Sequence, residues 1–367
     1  MYFFLLMLLP ILFCLAAYLL HKQGILVENH GLGEALCTLV VCAIITGAGL
    51  ALEFYGVTTD TEIWSGSITQ KQREEVSCRH SYKCNCYTTT DKDGHSEEHC
   101  STCYEHSFDV DWDLYFSTGK EMSIDTVDRQ GLTMPPRWAA AYVGEPTTEA
   151  HTFTNYLLAS PDNVLMHHDV PTGFSGLIPK YPDEVYDYYR TNRFLLAGGV
   201  PVKGEKEWRW LLDKMNADLG SVKQVNIIII LAYTNDPRYE YALEKEWVGG
   251  KKNDLIVVIG TTQYPKIDWV RIVSWCTSAD IKVLLRDEIQ DIGTLDKRDE
   301  IMGDIRKEVT THFHRRHMKD MKYLAASHQP SGWVMFFILF LELAAAFVVP
   351  IAYSNIEDNY SYRRRYY

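Results

Sequence analysis

Three long apolar blocks near the ends of the chain constrain its fold more than any other feature. Each is close to the roughly 20 residues that an α-helix needs to cross a bilayer. The long stretch between the second and third blocks has ordinary soluble-protein composition. We therefore predict three transmembrane helices, at residues 1–20, 35–52 and 333–353, with the lipid bilayer as a partner.

Basic residues near these blocks predict an orientation. Lys22 lies in the short loop 21–32, and three arginines lie in the C-terminal tail 354–367. Positive charge in short loops favours the cytoplasmic side, so we predict a basic and aromatic cytoplasmic tail and residues 57–332 on the opposite side. Arg315 and Arg316, just before the third block, run against this orientation, but long domains translocate largely regardless of charge.

Residues 57–200 are predicted to form a cysteine-rich, β-rich region. Five cysteines cluster between positions 78 and 103, and six lie outside the apolar blocks: Cys78, Cys84, Cys86, Cys100, Cys103 and Cys276. Six cysteines allow three disulfides, and a small polar module with little core needs such crosslinks. Zinc is the alternative, because Cys100-x-x-Cys103 has ligand spacing and His80, His95, His99 and His106 are close in sequence.

Residues 108–115 alternate strictly between apolar and acidic side chains. A β-strand would place Asp109, Asp111 and Asp113 on one face. Calcium binding is one interpretation, but an EF-hand loop needs Gly and Glu where this chain has Leu114 and Lys120. We therefore predict a solvated strand face.

Residues 201–328 have the pattern of an α/β domain. The β-branched runs 225–232 and 255–259 are typical of strands buried on both faces, and residues 269–275 predict a third strand. Helical spacing is found at 205–219, 239–247, 281–292 and 299–323. Strands that alternate with helices in this way predict a helix-covered sheet.

The motifs of this domain resemble the TPM-domain family over roughly the last third of the chain. The resemblance rests on the strand 225–232, the segment 241–247 followed by Gly249-Gly250-Lys251-Lys252-Asn253-Asp254, the strand 255–259, and a closing helix before an apolar block. Some family members are phosphatases, and some bind divalent metal through acidic loop residues. The resemblance implies Asp236 and Asp254 as the positions that bind the divalent metal. For the chain as a whole, calcium and zinc are the two candidate ions.

The chain as a whole also resembles uncharacterised membrane proteins encoded by large tailed bacteriophages. The stretches that carry this second resemblance are 64–69, 84–86, 110–112 and 135–138. It implies a viral protein that resides in the host bacterial inner membrane, with its large domain in the periplasm and with a host envelope protein as a potential partner.

Glu342 is the one acidic residue inside the third apolar block. An ionisable group at that depth is costly and usually faces a helix interface, a partner or water. Three alanines after it, and Gly47 and Gly49 in the second block, allow close helix approach. We expect Glu342 to form hydrogen bonds across a seam between helices or between subunits; a proton or ion path is the functional alternative.

These observations together predict an α+β membrane protein with three transmembrane helices, a TPM-like α/β domain outside the cytoplasm and a cysteine-rich β module. A net charge of −12 argues against nucleic acid as a partner. The chain carries none of the common catalytic motifs, and its 23 tyrosines and nine tryptophans favour interaction surfaces. We expect a non-enzymatic scaffold that forms a homo-oligomer; the alternatives are a metal-dependent phosphatase of TPM type and an ion-conducting assembly.

Overall fold

The computed structural model describes residues 1–23, 32–90, 96–160, 173–174, 176–185 and 190–366, with side chains in the last helix described as far as Ile356. The protein is a mixed α+β protein with three long apolar helices, several sheets and a disulfide-bonded β-hairpin. The α-helices of the described residues are α1 Tyr2–Lys22, α2 Leu32–Thr58, α3 Pro136–Ala140, α4 Glu205–Lys223, α5 Tyr239–Glu246, α6 Asp280–Ile292, α7 Arg298–His312 and α8 Gly332–Tyr366. The strands are β1 Thr59–Val76, β2 Ser81–Thr90, β3 Ser96–Tyr104, β4 Asp109–Phe116, β5 Glu121–Ser123, β6 Pro146–Thr154, β7 Phe194–Ala197, β8 Asn226–Ala232, β9 Asp254–Gly260 and β10 Trp269–Ser274.

The chain divides into two compact units. The apolar-helix unit consists of Met1–Asp60, Phe153–Asn163 and Met318–Tyr367. The sheet unit consists of Thr61–Thr152 and Val164–His317. Each unit is therefore assembled from segments that are distant in the sequence.

The apolar-helix unit confirms the three long apolar helices. α1, α2 and the apolar part of α8, Gly332–Ile356, have 21, 27 and 25 residues, and each is long and apolar enough to cross a membrane. The second helix extends beyond the predicted block 35–52 at both ends. The helix α8 also continues past the predicted third block, through most of the predicted tail 354–367, to Tyr366. That segment contains no glycine or proline, so nothing in its local sequence ends the helix.

The sheet unit contains an α/β sheet whose faces are both covered by helices. Its strand order is β10-β9-β8-β7; β7, β8 and β9 run parallel, and β10 is antiparallel to β9. Alternate residues of β8 point to opposite faces: Ile227 and Ile229 pack with α4, α6 and α7, whereas Ile228 and Ile230 pack with α5. Every residue of β8 and β9 is buried, which explains their unbroken apolar runs.

Two details of the predicted α/β domain are wrong. Its sheet gains β7 from the region 57–200, a strand too short to show a periodicity in the sequence. The single helix expected over 299–323 is two elements, α7 and a 3₁₀ segment, Met318–Ser327, which belongs to the apolar-helix unit.

A second four-stranded sheet, in the order β5-β4-β1-β6, contains the acidic strand β4. The predicted solvated face is wrong, because Asp109 and Asp113 are buried. Asp109 accepts the Arg79 backbone N–H at 2.8 Å, and Asp113 accepts the Ser123 hydroxyl. Hydrogen bonds from other protein groups to these carboxylates thus replace the solvent contacts that the alternating pattern predicted.

Candidate functional site

The candidate site is the β2–β3 hairpin, an antiparallel pair of strands that leaves its residues in solvent. Two disulfides, Cys84–Cys103 and Cys86–Cys100, connect the strands. The ladder is shifted between Cys84 and Tyr87, where Asn85 has a φ of 49°. Because successive residues of a strand alternate in direction, the pairing places the two disulfides on opposite faces of the hairpin.

The hairpin has almost no core. None of its strand residues is buried, and the only partly covered ones are three of the disulfide cysteines. Tyr82, Tyr87 and Tyr104 are 51%, 63% and 57% exposed. The Tyr87 ring lies 5.4 Å from the His99 ring across the ladder. A two-stranded hairpin is marginal in water without support, so the disulfides hold an aromatic, solvent-exposed surface in one shape.

The structure settles which predicted cysteines pair. Cys78 and Cys276 are unpaired and buried, so the third disulfide allowed by the count is wrong. Cys276 accepts the His314 backbone N–H at 3.2 Å. The zinc motif Cys100-x-x-Cys103 is also wrong, because each of its sulfurs belongs to a different disulfide. His95 of that prediction lies outside the described residues.

Asp254, a residue assigned to metal by resemblance, lies fully buried at the start of β9. Its Oδ2 accepts the Tyr181 hydroxyl at 2.8 Å and the Lys251 backbone N–H at 2.7 Å, and its Oδ1 accepts the Asn226 side-chain amide at 2.9 Å. Gly250 is required here, because its φ is 80° and a Cβ would lie 2.9 Å from Oδ2. Burial raises the pKa of Asp254 to about 6 although these hydrogen bonds lower it.

Asp236 does not share a site with Asp254. The parallel register pairs Asn226 with Asp254 and Ala232 with Gly260, so Asp254 begins its strand whereas Asp236 follows the end of β8. About six steps of strand at about 3.3 Å each separate the two edges of the sheet by roughly 20 Å. Asp236 instead forms an ion pair with Arg238, which lowers its pKa. The resemblance implies metal binding at both positions, and this distance prevents the two carboxylates from binding one shared ion.

Glu342 lies inside the apolar-helix unit with a side-chain partner in its own chain. It is 1% exposed, and its Oε1 accepts the Thr46 hydroxyl of α2. The Cys42 thiol donates to the Glu342 backbone carbonyl at 3.8 Å. Gly49 is also used within the chain, because a Cβ there would lie 2.8 Å from Ile338 of α8. Glu342 and Gly49, two of the residues expected at a seam, therefore serve contacts between α2 and α8.

A cavity of about 280 Å³ in the sheet unit carries excess positive charge. Its charged lining residues are Arg190, Arg193, Lys206, Arg209, Glu145 and Asp213. Arg193 is buried and donates to the Ser65 hydroxyl at 2.6 Å, and its guanidinium lies 3.8 Å from Asp213. Such a set of donors can bind an oxyanion.

Sequence reasoning missed the partners of these buried acids. Asn226 could have been recognised from the sequence, because it is a lone polar residue in an apolar run. No sequence pattern indicates the surroundings of Glu62. This fully buried carboxylate contacts Arg315, lies 3.3 Å from the Lys252 ammonium, and accepts the Trp64 indole N–H at 2.9 Å. Arg315 and Lys252 are far from Glu62 along the chain, and only the fold brings them to it.

No family model, curated protein or solved structure matches this chain.

Proposed function

We propose that this protein is a non-enzymatic integral membrane scaffold that forms a homo-oligomer through its β2–β3 hairpin. The observation that carries the proposal is the exposure of Tyr82, Tyr87 and Tyr104 on a hairpin that two disulfides hold rigid. Tyrosines contribute large contact areas at little cost in side-chain entropy, and they are enriched at protein interfaces. Preorganisation further lowers the entropic cost of association.

A second copy of the chain is the proposed occupant of this surface. Each strand of a two-stranded hairpin has one unpaired edge, and such edges are templates for pairing with another strand. The apolar helices support assembly less directly. Glu342 already accepts a hydrogen bond from Thr46, and Gly49 already packs against Ile338, within the same chain. Self-association through the exposed hairpin is therefore favoured over a seam inside the bilayer.

The proposed location is the envelope of a bacterium, with the sheet unit in the periplasm. Disulfides persist in oxidising compartments and are rare in the cytosol, and the hairpin has two of them. A bacteriophage origin and a TPM-like character of the α/β sheet belong to the same proposal. Their support is the motif resemblance described above, together with a helix-covered sheet in which three of the four strands are parallel.

Light scattering coupled to size-exclusion chromatography of the detergent-purified chain tests the scaffold. We expect a discrete oligomer that dissociates when the disulfides are reduced. Tyr82→Ser combined with Tyr87→Ser should shift the mass toward the monomer. Tyr233→Ser, which alters an equally exposed tyrosine after β8, is the matched control and should leave the oligomer intact. A monomeric wild type, or an oligomer indifferent to both hairpin substitutions, would exclude this assembly mode.

A phosphatase of TPM type is the second candidate, and the cationic cavity around Arg209 favours it. Phosphoryl transfer needs positive charge on the transferring oxygens, which arginines can supply. Hydrolysis of a generic phosphomonoester by the purified chain, lost in Arg209→Ala and retained in Arg286→Ala, which changes a partly exposed arginine of α6 outside the cavity, would support this activity. Equal rates in the wild type and in Arg209→Ala would count against it.

A further inference from the structure

Three potential metal ligands converge at the base of the hairpin. Cys78 lies between β1 and β2, His106 lies between β3 and β4, and Asp109 opens β4. Their ligand atoms all lie within 4.8 Å of one another. Cys78 Sγ is 3.7 Å from His106 Nδ1, which is 3.4 Å from Asp109 Oδ1.

These separations match the edges of a zinc coordination tetrahedron. Zinc bonds of about 2.3 Å to sulfur and about 2.0 Å to nitrogen or oxygen place tetrahedral ligands roughly 3.5 Å apart for sulfur and nitrogen, and roughly 3.3 Å apart for nitrogen and oxygen. The distance of 3.4 Å between His106 and Asp109 is longer than an ordinary charge-assisted hydrogen bond of about 2.8 Å. The Cys78–His106 distance also fits a thiol–imidazole hydrogen bond, but both distances have the values that two ligands of one zinc ion would have.

Two further observations at this place point to a bound cation. Asp109 Oδ1 is buried and has no hydrogen-bond partner, although Oδ2 accepts the Arg79 N–H. A buried acceptor left unsatisfied is costly, and a cation beside it would remove that cost. Cys78 stays a free thiol beside a hairpin whose four cysteines are all oxidised. Coordination would satisfy the carboxylate and protect the thiolate.

We propose that Cys78, His106 and Asp109 bind a zinc ion that fixes the base of the hairpin to the β1–β4 sheet. A thiolate, an imidazole and a carboxylate are each a ligand type that zinc accepts in proteins, and three protein ligands leave the fourth position of the tetrahedron for water. The three residues come from both connections of the hairpin and from β4, so the ion crosslinks the points where the hairpin leaves the sheet. This inference is independent of self-association and of any catalytic activity.

His80 lies beside these ligands as a positioning residue. Its Nε2 is 2.8 Å from the Arg129 backbone carbonyl and 3.9 Å from Asp109 Oδ2. The first contact identifies Nε2 as the donor to that carbonyl, so His80 acts on Asp109 only across 3.9 Å, from outside the coordination shell. Outer-shell partners of this kind change metal affinity about 10- to 100-fold.

Metal analysis of the full chain, purified in detergent without reductant, tests the site. We expect one zinc per chain, removed by a chelator and restored by added Zn²⁺. Cobalt should replace zinc and produce a thiolate-to-metal charge-transfer band in the near ultraviolet. Because both disulfides remain oxidised, that band can come only from a free thiol.

Variants then identify the thiol. Cys78→Ser should abolish the band, and His106→Gln should weaken metal binding more than the roughly 10- to 100-fold expected for His80→Gln. Cys276→Ser is the matched control, because Cys276 is also a buried free thiol of the sheet unit and should leave the band unchanged. Intact mass shows whether both disulfides are present in each variant, and urea denaturation followed by tryptophan fluorescence shows whether the variant has folded.

Alkylation of the wild-type chain keeps the test decisive if Cys78→Ser does not fold. Bound zinc should protect Cys78 from alkylation, and removal of zinc should expose it, with no change at Cys276. Two results together would overturn the proposal: less than about one-tenth of an equivalent of metal per chain, and a Cys78 alkylation rate that zinc does not change. A charge-transfer band that survives in Cys78→Ser would overturn it as well.

Discussion

The β2–β3 hairpin and the β8–β9 strand pair lie in the same compact unit, but different forces hold them. Every residue of β8 and β9 is buried, whereas no residue of the hairpin strands is. Apolar burial between two layers of helices stabilises the first pair. The hairpin instead depends on two covalent crosslinks, which restrict its unfolded ensemble.

This difference shows how one chain separates stability from recognition. The α/β sheet uses its apolar side chains in its own core, so few remain for a partner. The hairpin is held together by disulfide bonds, so its tyrosines can remain exposed to solvent. Four predictions test this contrast, from the largest expected effect to the smallest.

Truncation in the buried strand should cost most. Ile229→Ala in β8 leaves a cavity between two packed layers and should lower the free energy of unfolding by about 2–5 kcal/mol. Val222→Ala, at a side chain that is 77% exposed, should change it by less than about 0.5 kcal/mol. Urea denaturation of the full chain, followed by tryptophan fluorescence, measures both. Similar costs for the two variants would show that β8 is not the stabilising core.

Loss of one disulfide should loosen the hairpin and spare the sheet. The double variant Cys86→Ser with Cys100→Ser opens a loop with a sequence separation of 14, which corresponds to about 3 kcal/mol of local stability. Amide hydrogen exchange in the hairpin should therefore accelerate by up to about 100-fold, since each factor of ten corresponds to about 1.4 kcal/mol. Exchange in β8 and β9 should not change. Faster exchange in both regions would show that the hairpin supports the sheet.

Acidification should stabilise the sheet through Asp254. Its pKa is about 6 in the folded protein and 3.8 in the reference state, so the folded protein holds this proton more tightly. The free energy of unfolding should therefore fall by up to about 3 kcal/mol as the pH rises from about 4 to about 6. Unfolding measured as a function of pH, in wild type and Asp254→Asn, tests this.

The Asn substitution should remove this pH dependence and keep the fold. Asn226 Oδ1 has no hydrogen-bond partner, so a rotated Asn226 amide can accept a hydrogen bond from the new side chain. Glu240, whose pKa burial raises to about 7, acts in the same direction, and Glu240→Gln isolates its share. A slope that is unchanged in Asp254→Asn would assign the dependence to other groups.

Changes of the exposed tyrosines should affect stability least. Tyr87→Ser should alter the free energy of unfolding by less than about 0.5 kcal/mol, because the ring is mostly in solvent and packs beside His99 across the ladder. The denaturation assay used for Ile229→Ala measures it directly. A loss above about 1 kcal/mol would show that this tyrosine contributes to folding as well as to recognition.

Much of the sheet was predictable because its signals are local. The apolar runs of β8 and β9 and the amphipathic stripe of α4 correspond to elements that the structure contains. β7 was not predictable, since so short a strand acquires its identity from pairing with β8. The acidic face of β4 was predicted as solvated because alternation shows that one face is polar but not what covers it. Arg79 and Ser123 cover it from other segments.

The sequence by itself determined the three apolar helices and the helix-covered sheet, because length and apolar pattern are properties of the chain. Its cysteine count allowed disulfides but left zinc as the alternative. Tertiary structure alone decided which cysteines pair and which meet His106 and Asp109. It also placed Asp236 and Asp254 at opposite edges of the sheet and paired Glu342 with Thr46. Strand register and helix packing bring together residues that are far apart in sequence. A local sequence pattern contains no information about such long-range contacts.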